Sequence, residues 1–228
     1  MKVRLAVADD PAASCAELLV EAAAAGGQIV LTGGNTPRAA YEQAATQPDV
    51  WEHATLWFGD ERCVPPTDER SNYRMANEAL ISRVHPRSVH RIQGELGPTE
   101  AADAYEHDLR VGGPPEFDLL LLGLGPDGHL ASLFPGQQTL SERSRLAVGV
   151  PEAGLEPYVP RVSMTLPALS SAKRIVFLVS GASKADAVAA AFGPNAQPDP
   201  NVPASLLPPL ARDVTVLLDA PAASGVPQ

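Results

Sequence analysis

The spacing of hydrophobic and polar positions changes several times along the chain, and each change marks an element. Lys2 to Ala8 alternates apolar and polar residues, which predicts a strand at a sheet edge. Cys15, Leu18, Leu19 and Ala22 then recur at helical spacing. Asp9 or Asp10 can cap that helix with Pro11 at its first position, and Gly26-Gly27 ends it. Gln28 to Leu31 and Ala54 to Phe58 are short strands. Ser71 to Arg83 returns to helical spacing, with Ser71 or Asn72 near its cap. Thr99 to Val111 does the same, with Thr99 as cap and Ala102, Tyr105 and Leu109 facing inward. Leu119 to Leu122 is an uninterrupted apolar run closed by Gly123, the pattern of a strand buried on both faces of a parallel sheet. Arg174 to Ser180 and Val214 to Leu218 are further strands, and the first leads into an Ala-rich helix. Ser141 to Pro160 and the Pro-rich Gly193 to Pro209 are expected to be loops, and the tail beyond Asp219 to fray. Strands alternating with helices predict an α/β fold: a mostly parallel, doubly wound, Rossmann-like sheet with helices on both faces. Residues 1–228 are expected to form one such domain, because no linker or charge block divides them.

Composition narrows the partners. The formal charge of −10 argues against a nucleic-acid binder, because phosphates demand a basic face. It also means that an anionic ligand needs a local cationic pocket to offset the global field. Cys15 and Cys63 are too few for a disulfide framework or a metal knuckle, and Cys15 falls on the core face of its helix. No apolar run approaches ~20 residues and no charged-then-apolar leader opens the chain, so a cytoplasmic protein without a membrane span is expected.

Candidate chemistry gathers after the strands. Gly33-Gly34-Asn35-Thr36-Pro37 follows one of them. It reads either as a tight turn with Asn35 or Thr36 as N-cap and Pro37 at N1, or as an anion site made by backbone N–H groups at a helix start. The Gly-Lys-Ser/Thr ending of a P-loop is missing. Asp60-Glu61-Arg62 follows another strand. Arg62 either neutralises those acids or offers its planar fork to a phosphate or carboxylate. The turn after Leu122 holds one acid, Asp127, and one imidazole, His129. Lys184 lies in the first turn of the Ala-rich helix, where a cation opposes the macrodipole, which marks it as a functional candidate. His85 and His90 have no acid or cysteine at ligand spacing and are read as structural. There is no nucleophile elbow and no metal-ligand cluster, so neither metal nor cofactor is expected. The Asn35, Arg62, His129 and Lys184 loops all follow strands and should meet at the carboxyl edge of the sheet.

Four stretches in order resemble the 6-phosphogluconolactonase family. They are Thr32-Gly-Gly-Asn-Thr-Pro37, then Asp60-Glu-Arg-Cys-Val-Pro65 with Ser71-Asn72-Tyr73, then Gly125-Pro-Asp-Gly-His-Leu-Ala-Ser-Leu-Phe-Pro-Gly136, and last Arg161-Val-Ser-Met-Thr165 with Gly181-Ala-Ser-Lys184. The resemblance runs from about residue 30 to the final strand. It implies hydrolysis of 6-phospho-D-glucono-1,5-lactone in the oxidative branch of the pentose phosphate pathway. His129 would be the general base and the cationic residues phosphate ligands. In that scheme Thr36, Arg161, Lys184 and the backbone of Gly33, Gly34 and Asn35 hold the phosphate. Asp127 or Asp60 orients the imidazole, and backbone N–H groups or Arg62 stabilise the oxyanion. The partner is then a small phosphorylated lactone, and the chain a monomer or weak homo-oligomer. Two alternatives stand beside it. An amino-sugar-phosphate deaminase/isomerase would carry an acid where Phe134 stands and a tyrosine where Arg62 stands. A non-catalytic sugar-phosphate-binding module would normally bring a basic DNA-binding segment. Glu156-Pro157-Tyr158-Val159-Pro160 departs from the family's Pro- and Lys-rich approach to Arg161.

Overall fold

The computed structural model describes residues 3–111 and 116–226. Lys2 lies outside them; within the described part of the predicted first strand, Arg4–Val7 is strand and Val3 and Ala8 are not. The elements in chain order are β1 (Arg4–Val7), α1 (Pro11–Ala24), β2 (Gln28–Leu31), α2 (Asn35–Ala44), β3 (Thr55–Phe58), β4 (Asp60–Arg62), α3 (Asn72–Ala79), β5 (Ser88–Val89) and α4 (Pro98–Arg110). Next come β6 (Leu119–Leu122), β7 (Ala147–Val150), β8 (Arg161–Met164), α5 (Leu166–Ser170), β9 (Arg174–Val179), α6 (Ala185–Phe192), β10 (Val214–Leu218) and α7 (Ala220–Ala223).

The strands expected from the apolar pattern pair, together with the short and unexpected β5, into a seven-stranded, wholly parallel sheet of order β1-β10-β9-β6-β2-β3-β5. The alternating β1 is an edge, and the all-leucine β6 sits at the centre with every residue buried. From β2 the chain steps one way, to β3 and β5; from β6 it steps the other way, to β9 and β10. Crossovers between parallel strands are right-handed, so this reversal sends the two sets of connections to opposite faces. A crevice opens where they part, beyond the carboxyl ends of the adjacent β2 and β6.

Buried tyrosines fasten two strand ends beside that crevice. Tyr41 Oη accepts from Thr32 N–H at 2.8 Å and donates to Thr32 O at 2.9 Å, just past β2. Tyr105 Oη does the same for Phe58 at the end of β3, at 3.0 and 2.9 Å. Backbone groups that the ladder leaves unpaired are thereby satisfied without water, and the loops that follow start from fixed points.

A second sheet is the main departure from the alternating pattern. β4, β8 and β7 form a three-stranded antiparallel sheet, so Asp60-Glu61-Arg62 is a strand rather than a solvated tip. The stretch 141–160, expected to be loop, contains β7. Neither strand carries a readable period: β4 is wholly charged, and β7 lies among Pro and Gly breaks. Both exist because β8 pairs with them on either side. The apolar residues of β7 and β8 join the same hydrophobic cluster as the parallel sheet, through Ala147, Val148, Val162 and Met164.

Several boundaries also differ. Gly34 (φ 114°), not Asn35 or Thr36, is the N-cap of α2, and Gly97, not Thr99, that of α4; neither makes a side-chain cap bond. Asp10 and Ser71 do cap α1 and α3, accepting from Ala13 and Arg74 N–H at 3.0 and 3.1 Å. The tail does not fray at Asp219: that residue caps α7, whose Ala222 and Ala223 are buried. Nor is 193–209 simply a surface loop. Pro203, Ala204, Ser205 and Leu207 are buried, and Ala204 N–H donates to Gly128 O at 2.8 Å, bracing the turn that carries His129 from behind.

Candidate active site

The crevice at the β2–β6 parting is a cleft of about 390 Å³. Every residue singled out from the sequence lines it except Asp127, which stands behind His129. Gly33, Gly34, Asn35 and Thr36 come from the end of β2, His129 from the turn after β6, and Lys184 from the turn after β9. Asp60, Arg62 and Arg161 come from the small sheet instead, which forms a further wall.

The turn 125–129 is shaped around one pair of side chains. Asp127 Oδ1 lies 2.6 Å from His129 Nδ1 and also accepts from His129 N–H at 3.2 Å. With an ionised carboxylate on that side, the neutral ring carries its proton on Nδ1 and leaves Nε2 as a free acceptor. Burial pushes the Asp127 carboxyl up, but the hydrogen bond and charge of His129 outweigh it and hold the group below the usual aspartate range. The other face of the imidazole packs on Phe134, with centroids 4.7 Å apart. Gly125 completes the fit: a Cβ there would overlap both His129 Nδ1 and Asp127 Oδ1. Asp127, not Asp60, is therefore the hydrogen-bond partner of the imidazole.

The cations are arranged for an anion that comes from outside the chain. Arg62 and Arg161 are directly opposed across the β4–β8 ladder. Like charges in such a pair repel. The alternative in which Arg62 neutralises Asp60 or Glu61 is not what the fold builds, since Arg62 Nη1 donates to Arg70 O at 2.6 Å. Arg161, only 3% exposed, donates through Nη2 to Leu155 O and Pro157 O and lies over the Phe134 ring. The Nε atoms of both arginines are buried with no protein partner among the described residues. Burial holds the Arg161 guanidinium below its ordinary value; the Asp60 charge opposes this and Arg62 adds to it. Lys184 is the N-cap of α6 and donates from Nζ to Leu124 O at 2.8 Å. Burial likewise lowers its pKa, against a smaller opposing pull from Asp127. In the same cleft is the start of α2, whose N-cap Gly34 has no side chain to accept from the first-turn N–H groups.

Two acids hold the small-sheet wall in place. Glu61, read from the sequence only as a possible partner for Arg62, is buried. It accepts from Asn72 N–H, Tyr73 N–H, Arg62 N–H and Ser71 Oγ at 2.7–2.9 Å. Burial raises its pKa, and those donors pull it only part of the way back. The carboxylate thereby serves the start of α3 as an internal anion. Asp60 is 5% exposed and accepts from Ser132 Oγ at 2.6 Å and Asn72 Nδ2 at 3.1 Å. Asn72, Leu155 and Glu156 line the cleft without having been singled out as site residues. Asn72 stood within a matching motif but was read as a helix cap, and nothing local marks the other two. Among the described residues no group of three or more His, Cys, Asp or Glu side chains is placed to hold a metal. No helix among them is long and apolar enough to cross a membrane.

Residues 4–216 match the family model described as glucosamine-6-phosphate isomerases/6-phosphogluconolactonase. The chain belongs to this family. It is 38% identical over 200 residues to a 6-phosphogluconolactonase of Synechocystis sp., covering 84% of this chain and 81% of that one. A 6-phosphogluconolactonase of Streptomyces coelicolor is 36% identical over 242 residues, covering 97% and 91%. Among solved structures, the 6-phosphogluconolactonase of Trypanosoma brucei superposes with a TM-score of 0.87 at 28% identity, covering 98% of each chain. These likenesses bear out the resemblance read from the four motifs, and the parallel sheet bears out the expected fold class.

Proposed function

We propose that this chain hydrolyses 6-phospho-D-glucono-1,5-lactone to 6-phospho-D-gluconate, the lactonase step of the oxidative pentose phosphate pathway. The observation that carries the reading is the His129–Asp127 pair, in the same cleft as the start of α2 and three cations that make no ion pair among the described residues. A sugar δ-lactone is an activated ester, so a positioned base and an anion site suffice. The phosphate is held by Arg161, Lys184, Thr36 and the backbone of Gly33, Gly34 and Asn35. His129 Nε2 takes a proton from water as its oxygen bonds to the lactone C1. The oxyanion so formed faces Arg62 or backbone N–H groups. As it collapses, the C1–O5 bond breaks and the imidazolium returns its proton to O5. Asp127 keeps the Nδ1 proton in place through both transfers.

The tertiary contacts of Phe134 favour this over a deaminase. At the position where a deaminase would support its histidine with an acid, an apolar ring packs against His129. The partner is a diffusible phosphorylated lactone, acted on in the cytoplasm by a monomer or weak homo-oligomer. Incubation with freshly made 6-phosphoglucono-δ-lactone and, separately, with glucosamine 6-phosphate tests the reading. Acid release from the lactone and no ammonia from the amino sugar are expected, and the reverse would overturn it. Unphosphorylated gluconolactone should be a poor substrate, because its turnover forgoes every cationic contact.

A further inference from the structure

We infer that Asn72 is a specificity-determining residue that accepts a hydrogen bond from a ring hydroxyl of the substrate, a role that rests on the lactonase reading above. Its side chain is held in one orientation. The residue is 3% exposed, and its main-chain N–H donates to Glu61 Oε1 at 2.7 Å. Its amide nitrogen donates to Asp60 O at 3.0 Å and to Asp60 Oδ1 at 3.1 Å. Both of those atoms are acceptors, so the NH₂ group must face them and the carbonyl oxygen must face away. That oxygen, Oδ1, lies over Gly33 at the cleft, close enough that a Cβ on Gly33 would overlap it. Among the described residues nothing donates to it.

With its nitrogen held by Asp60, Asn72 presents to the cleft a fixed acceptor oxygen that a hydroxyl of a bound ligand can engage in place of water. The chemistry of the proposed substrate says which group that is. A phosphate monoester, with a second pKa near ~6, carries almost no proton at neutral pH. The lactone carbonyl and ring oxygen are acceptors only. The hydroxyls at C2, C3 and C4 alone can donate to Asn72. The Asp60 carboxylate, bonded to the same amide, sets a second acceptor beside this oxygen, so the group that reaches Asn72 is a hydroxyl donor.

The test compares kcat/KM for 6-phosphogluconolactone with that for its 2-deoxy, 3-deoxy and 4-deoxy analogues, in the wild-type chain and in Asn72→Ala. The wild type is expected to prefer the parent over one analogue by about tenfold or more, the worth of one hydrogen bond. In Asn72→Ala that ratio should collapse towards unity, while the ratios to the other two analogues stay as they were. Each ratio is taken within one preparation, so a smaller folded fraction leaves it unchanged. If Asn72→Ala does not fold, Asn72→Ser carries the same comparison, because its shorter hydroxyl does not reach the same point. Ser132→Ala removes a support of Asp60 without touching Asn72 and should keep the wild-type ratio; an equal collapse there would assign the hydroxyl to Asp60 and overturn the proposal. Unchanged ratios in the Asn72 variants for all three analogues would also overturn it. No turnover of the parent lactone by the wild type would instead remove the lactonase reading, and this assignment with it.

Discussion

At the scale of single residues, the cleft divides its work between one base and several charges. His129→Gln keeps a hydrogen-bonding side chain but cannot take up and return a proton. Its kcat should fall by roughly 10²–10⁴, the usual worth of a general base, while calorimetry shows 6-phosphogluconate binding retained. Near-wild-type kcat in the folded variant would move the base elsewhere, with Asp60 next in line. Lys184 gives the pH prediction. Its pKa is lowered by burial in the free protein, and a bound phosphate would raise it again. Binding therefore takes up a proton between those two values. Affinity for 6-phosphogluconate should be full below the lowered value and decline as pH rises through it. The decline should begin at a lower pH than an ordinary lysine, near ~10.4, would give. Lys184→Arg, whose guanidinium stays charged, should abolish the decline in a calorimetric pH series. An unchanged decline would mean that another group titrates.

At the scale of elements, the positions of these residues depend on turns and pairings as much as on identity. The Gly125 turn is drawn tightly around the Asp127–His129 contact. Gly125→Ala should push the imidazole and carboxylate apart, so kcat should drop by about as much as in His129→Gln, within the range of roughly 10²–10⁴. Product affinity should change little, since the phosphate contacts come from other elements. A Gly125→Ala variant with wild-type kcat would show that the turn relaxes without moving the base. The β4–β8 pairing is a second such device, because it sets Arg62 directly opposite Arg161. Arg161→Ala removes a charge-assisted contact of about 1.5–3 kcal/mol, so KM should rise roughly tenfold to a hundredfold with a smaller change in kcat. A large fall in kcat at unchanged KM would place Arg161 on the reacting carbonyl instead.

At the scale of the whole molecule, two sheets share one hydrophobic cluster, and the cleft lies at their junction. One domain is expected to unfold as one unit. Differential scanning calorimetry should give a single transition that coincides with loss of far-ultraviolet circular dichroism. An earlier, separate transition would mean that the small sheet and α4 form an independent unit. Such a step would also disconnect Arg62 and Arg161 from the cleft before the parallel sheet melted. The chain's charge of −10 makes that junction important, since Arg62, Arg161 and Lys184 line the cleft there and offset the global field for a dianion.

Much of this was legible along the chain, and for a definite reason. The parallel strands, the helices between them and the turn bearing Asp127 and His129 are local patterns. An all-leucine run, helical spacing and glycine punctuation state burial and chain reversal within a few residues of one another. Placement of Gly33, Gly34, Asn35, Thr36, His129 and Lys184 at one edge also follows, because parallel strands put every following loop on the same side. The small antiparallel sheet did not show, since β4 is a strand only through pairing with residues about a hundred positions away. For the same reason the sequence left open whether Asp127 or Asp60 holds the imidazole, and it gave no hint that Asn72 turns an unpaired oxygen to the cleft. Those choices depend on which side chains the sheets bring within about 3 Å of each other, the range of a hydrogen bond, and such distances are set across the fold rather than along it.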